Sequence, residues 1–114
     1  MYTADQILYE CPVEALSNIL GKKWVAVILW TIQDKKIRFG ELECLVEGCS
    51  KKVLTQQLNM LMENNIVINE KKSEHNTVES TYFLSDAGLA LLPLMKEMRN
   101  WSDQNLACGK GTHT

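Results

Sequence analysis

A mainly α-helical domain with one small β-hairpin is the fold class this sequence predicts, and three stretches predict it. Residues Ser50–Asn64 have one apolar and one polar side at helical spacing. A shorter apolar-periodic run from Phe39 to Leu45 precedes them across the turn Val46-Glu47-Gly48-Cys49, and two strand-like runs follow, Ile66–Lys71 and Ser80–Leu84. Helix, glycine-containing turn, second helix and hairpin, in that order, make a winged helix-turn-helix.

The second helix of the motif organises the rest. With about 100° of turn per residue, Leu54, Leu58 and Leu61 share one side, while Lys52, Gln56 and Asn59 gather opposite. That polar side carries no carboxylate before Glu63, and Ser50 is a good N-cap. Periodicity alone leaves two readings open, a solvated surface face or a face fitted to nucleic acid.

Upstream, Pro12–Leu20 reads as a short amphipathic helix with proline at its first position and Gly21 stopping it. Trp24–Ile32 is almost wholly apolar, which predicts a buried core helix. Asp34-Lys35-Lys36 is a polar turn, and Ile37-Arg38-Phe39 a brief extended piece before the motif. Downstream, β-branched and aromatic residues mark the two strands, and the polar stretch between them predicts a hairpin tip bearing Lys71, Lys72, His75 and Asn76. Ser85-Asp86 caps a last helix that Pro93 kinks or splits. Its apolar residues, Leu89, Leu91, Leu92, Leu94, Met95, Met98 and Trp101, occupy more than one face, which implies a partner. The three tryptophans are assigned to core or interface packing.

The 114 residues suit a single domain, 1–114, with residues 107–114 expected to be a disordered tail. No apolar run approaches the roughly 20 residues of a membrane span. The opening Met1-Tyr2-Thr3-Ala4-Asp5 has no basic n-region, so a cytoplasmic chain without membrane contact is expected. The net charge of −2 hides an uneven distribution, because residues 21–60 carry seven basic and four acidic groups. Positive charge therefore collects around the motif, where it matters for phosphate attraction. Cys11, Cys44, Cys49 and Cys108 show no C-x-x-C pairing, and His75 and His113 lack ligand spacing, so no metal and no cofactor is expected. The thiols are expected to be free, and buried or inert.

Five segments in order carry a family resemblance: Cys11-Pro12-Val13-Glu14, Gly21-Lys22-Lys23-Trp24, Arg38-Phe39-Gly40-Glu41-Leu42, Ser50 through Leu58, and Tyr82-Phe83-Leu84-Ser85-Asp86-Ala87-Gly88. From about residue 11 to 101 the chain closely resembles the HxlR-type transcription regulators, which are bacterial, MarR-like winged-helix proteins. The resemblance implies a homodimer through N- and C-terminal helices that binds near-palindromic operator duplex DNA. In that role Lys52, Thr55 and Gln56 face base edges, since Gln pairs with adenine and Lys with guanine. Ser50 and the helix N-terminus meet phosphate, Lys51, Asn59 and Arg38 are further DNA-binding candidates, and the wing residues Lys71, Lys72 and His75 reach the phosphate backbone or the minor groove. The sequence departs from the family at the wing, whose tip lacks proline and whose second strand begins Ser80-Thr81-Tyr82.

Only Cys11 carries over from the family's cysteine pattern, and some members use a cysteine there to sense oxidants or electrophiles. Amide hydrogens and the positive dipole end at a helix start favour thiolate, whereas Glu10 and Glu14 oppose it. A redox switch and a partly buried residue that seats the first helix both remain open for Cys11. An enzyme is not expected, because no nucleophile, base and orienter stand at recognisable spacing and no glycine-rich phosphate loop occurs. The alternative to a DNA-binding regulator is a winged-helix protein-interaction module without DNA binding.

Overall fold

The computed structural model describes residues 1–106. Two short strands, β1 (Tyr2–Ala4) and β2 (Ile7–Tyr9), precede helices α1 (Pro12–Leu20) and α2 (Val25–Ile32). Strand β3 (Ile37–Arg38) leads into α3 (Phe39–Leu45) and α4 (Lys51–Glu63), the two helices of the motif. Strands β4 (Val67–Glu74) and β5 (Thr77–Leu84) form the wing, followed by α5 (Asp86–Leu89) and α6 (Leu91–Asn105). This is the winged helix-turn-helix that the pattern predicts.

The core forms where the apolar sides of α2, α3 and α4 meet the base of the wing. Val25, Ile28, Leu29 and Ile32 of α2 are fully buried, together with Leu42 of α3 and Leu54, Leu58 and Leu61 of α4. Ile37, Val67, Tyr82 and Leu84 close it from the sheet side. Each such aliphatic side chain contributes about 1.5–3 kcal/mol relative to exposure, which is what holds α4 in place.

Strand order in the three-stranded antiparallel sheet is β3-β5-β4, with Ile37 opposite Tyr82 and the wing pairing from Val67↔Leu84 to Glu74↔Thr77. The wing strands run further than their β-branched segments predict, because backbone pairing continues through the polar residues 71–80 after side-chain burial has ended. The tip is therefore only His75-Asn76, whose φ values of 51° and 65° make the two-residue left-handed turn that matches strand twist. Lys71 and Lys72 are not at the tip. They lie in β4 opposite Ser80 and Glu79, on opposite faces because successive strand residues alternate.

Several expectations need correction. Residues before Pro12, to which the sequence pattern assigns no element, form the β1–β2 hairpin, whose turn residues Asp5 and Gln6 have φ of 51° and 66°. The hairpin is fastened to the motif: the Asp5 amide donates to Asn64 Oδ1 at 3.0 Å, and the Asp5 carboxylate meets Lys22 at 3.1 Å. Trp24 does not open α2 as a helical residue but precedes it with φ 76°. The last helix is split, as expected, though at Ala90 rather than at Pro93 itself; Pro93 cannot donate to the carbonyl four residues back, Leu89, where α5 ends. Among the described residues the thiols are free, as expected, but not buried: Cys11 and Cys44 are exposed and Cys49 is half-buried. The expected tail at 107–114, with Cys108 and His113, lies outside the described residues.

No single described helix is long and apolar enough to cross a membrane.

Candidate nucleic-acid interface

Helix α4 starts with a made cap. Ser50 is extended (φ −71°, ψ 156°), and its Oγ accepts the Val53 amide at 3.1 Å, satisfying one of the free donors of the first turn. The dipole's positive end therefore emerges at Ser50, beside Lys51 and Lys52. Lys51, Lys52, Thr55, Gln56 and Asn59 are all exposed, while Leu54, Leu58, Met60 and Leu61 are buried beneath them. The polar face is thus continuous, with two cations at its N-terminal end and amides and a hydroxyl along it.

Two contacts fix the angle at which α4 leaves the core. Gln57, next to the outward Gln56, turns inward, and its Nε2 donates to the Lys23 carbonyl at 3.0 Å. The turn between α3 and α4 passes over Trp24. Gly48 there has φ 87°, and an added Cβ would meet the indole at 3.4 Å. Gln57 is legible in the sequence, since one residue beyond Gln56 the helix turns back towards Leu54 and Leu61.

The N-terminus of α3 approaches that of α4. Arg38, exposed, is the N-cap residue of α3, and Phe39 just after it stands between Lys51, whose Nζ is 6.0 Å from the ring centroid, and Tyr82, whose ring is 6.2 Å away. A packed aromatic pair thereby couples the start of α4 to the base of the wing. Burial pushes the Tyr82 phenol above its ordinary value.

Of the candidate residues, Ser50, Lys51, Lys52, Thr55, Gln56 and Asn59 come together on α4, and Arg38 lies beside their N-terminal end. Lys71, Lys72 and His75 are exposed on the wing, spread along it and over both faces. Sequence reasoning missed the wing's carboxylates. Glu79 Oε2 lies 3.2 Å from Arg38 Nη2, and Glu70 Oε1 lies 3.5 Å from Lys36 Nζ. Their signal was the acidic residues scattered through the strands, whose partners depend on register.

Cys11 is the N-cap residue of α1, exposed, with no side-chain bond into the helix. Cys49 differs: its Sγ lies 3.6 Å from the Ser50 carbonyl, and desolvation pushes the thiol up while Lys23 nearby pulls it down. The net shift keeps Cys49 protonated at neutral pH. Among the described residues, no group of three or more His, Cys, Asp or Glu side chains converges as a metal site.

Comparison with known proteins accords with this geometry. MalR of Fusobacterium mortiferum is 31% identical over 98 residues, covering 85% of this chain and 92% of that protein. The transcriptional regulator YodB of Bacillus subtilis is 34% identical over 95 residues, 82% of this chain and 84% of that protein. Its reduced form superposes with a TM-score of 0.78 at 32% identity, covering 86% of this chain and 96% of that one. YodB has also been solved after diamide treatment and with quinone bound. A MarR-family structure from Porphyromonas gingivalis W83 also gives a TM-score of 0.78, at 29% identity over 88% of this chain and 97% of that one. Residues 19–109 match the HxlR-like helix-turn-helix family, and the chain belongs to that family of transcriptional regulators.

Proposed function

We propose that this regulator binds near-palindromic operator duplex DNA as a homodimer, with α4 in the major groove. The observation that carries the reading is the exposed face of α4, free of carboxylates until Glu63 at its last turn, where Lys51, Lys52, Thr55, Gln56 and Asn59 stand over a buried leucine side. Ser50, Lys51 and Arg38 meet phosphate at the N-terminal ends of α4 and α3, and Lys52, Thr55 and Gln56 face base edges. Lys71, Lys72 and His75 supply weaker backbone contacts from the wing. Duplex binding whose affinity falls steeply with salt is the expected result, together with loss of operator recognition in a Lys52→Ala, Gln56→Ala double variant. Operator affinity unchanged in that variant would overturn the reading in favour of a protein-interaction module.

The exposed thiol of Cys11 at the start of α1 supports a second layer, response to oxidants or electrophiles. YodB, solved in reduced, diamide-treated and quinone-bound forms, makes the comparison apt. Modification of Cys11 would disturb α1, one of the proposed dimer helices, and so the spacing of the two α4 helices. Diamide or a quinone should change operator binding by wild-type protein and leave Cys11→Ser unaffected; equal effects on both would remove Cys11 from the role.

A further inference from the structure

The cation Arg38, placed at the phosphate-facing end of α3, is already occupied. Arg38 pairs in register with Thr81, and Glu79, two residues along β5 on the same face, reaches its guanidinium at 3.2 Å. Across the other side of β5, Glu79 is the register partner of Lys72. With β5 central in the sheet, one carboxylate stands between the two strands that carry Arg38 and Lys72. Both members of the Arg38–Glu79 pair are at least half exposed, 66% and 50%, so the pair is worth little to the fold. The same smallness makes it easy to exchange. A phosphate oxygen offers the guanidinium an equivalent charge-assisted bond and releases a counterion besides.

We infer that Glu79 is a competitor for phosphate: in the free protein it holds Arg38 in a wing-to-α3 pair, and DNA binding exchanges that carboxylate for the backbone. Glu79 thereby lowers affinity for duplex in general and ties engagement of Arg38 to the position of the wing. The inference rests on the DNA-binding reading and deepens it, since it names an acidic residue that sets the strength of the backbone contact.

The test uses the full chain and a mixed-sequence duplex over a series of salt concentrations, with E79Q, R38A and the double variant. E79Q keeps the side chain's size and removes its charge. It should tighten binding about two- to tenfold at low salt, and steepen the log K against log salt slope by up to about one. R38A should weaken binding, and most of the E79Q gain should disappear in the R38A background. Wild-type protein that binds while E79Q binds no tighter overturns this inference alone. An equal gain from E79Q with and without Arg38 also overturns it, because Glu79 would then act only through net charge. Wild-type protein that binds no duplex at low salt overturns the DNA-binding reading and this inference with it.

Discussion

Gln56 and Gln57 are adjacent and identical in type, and the helix gives them different surroundings. Gln56 is exposed, whereas Gln57 is half-buried and donates to the Lys23 carbonyl. Gln56→Ala should therefore leave the thermal midpoint nearly unchanged and relax preference at one base position by about 1–3 kcal/mol, measured as affinities across a set of operator variants. Gln57→Ala should lower stability by about 0.5–1.5 kcal/mol in chemical denaturation. Gly88 is under a different constraint: a Cβ there would press on the Ile66 carbonyl oxygen and lie 3.1 Å from Leu84 Cβ. Ser85 Oγ locks the same corner, donating to the Asn65 carbonyl at 2.6 Å and accepting from the Gly88 amide at 3.1 Å. Gly88→Ala should cost about 1–3 kcal/mol of unfolding free energy, by displacing α5 from the end of β4. Tyr82 gives a pH signature. Burial raises its phenol above the ordinary 10.0, so its contribution to stability is fully present below that value and is lost as pH rises through the raised one. Tyr82→Phe should flatten the alkaline part of the stability curve, read from thermal midpoints against pH.

At the scale of elements, α6 is the part least explained by the fold around it. Of its residues only Met95 is buried, while Leu94, Met98 and Trp101 are 43%, 47% and 59% exposed. Apolar grooves run on both sides of it, one lined by Pro12, Val13, Leu16, Leu20 and Met98, the other by Val27, Trp30, Met95 and Met98. Such a surface fits a helix of a second copy, with α1 and α6 from each subunit meeting about a two-fold axis. Trp101→Asp with Met98→Arg should convert the proposed dimer to a monomer by light scattering, with the helical circular dichroism retained; a chain that is monomeric before the change contradicts the assignment. The β1–β2 hairpin is tied to both ends of interest. It runs into Cys11 on one side and meets the C-cap of α4 through Asp5 and Asn64 on the other.

For the molecule as a whole, the proposed arrangement puts two α4 helices into successive major grooves. Half-sites should lie roughly 34–36 Å apart, one helical turn, and footprinting on DNA flanking the protein's own gene would read that spacing. The slope of affinity against salt should also be modest for the number of cations present. In the free chain Glu70 and Glu79 pair with Lys36 and Arg38, and Glu74 adds a third carboxylate to the wing, so these cations carry fewer condensed anions to release on reaching phosphate than residue counts imply.

What the sequence by itself determined is everything written in local periodicity. The apolar side of α4, its Ser50 cap, the near-continuous apolar run of α2 and the β-branched bases of the wing strands each follow from residue types a few positions apart. These signals need no partner from elsewhere in the chain, so the winged helix-turn-helix and the face of α4 were legible. Tertiary structure alone decided what depends on register or on distant backbone. The β1–β2 hairpin was hidden because its strands are three residues long and its turn is Asp5-Gln6 rather than an asparagine–glycine pair. Lys71 and Lys72 moved from tip to strand because pairing outlasts burial, a property of two strands together. The Arg38–Glu79 pair joins positions 41 residues apart through the β3-β5-β4 order, and neither residue's neighbours announce it. Whether a cation is free for phosphate is decided by which carboxylate the sheet brings to it, and that requires the sheet to be folded.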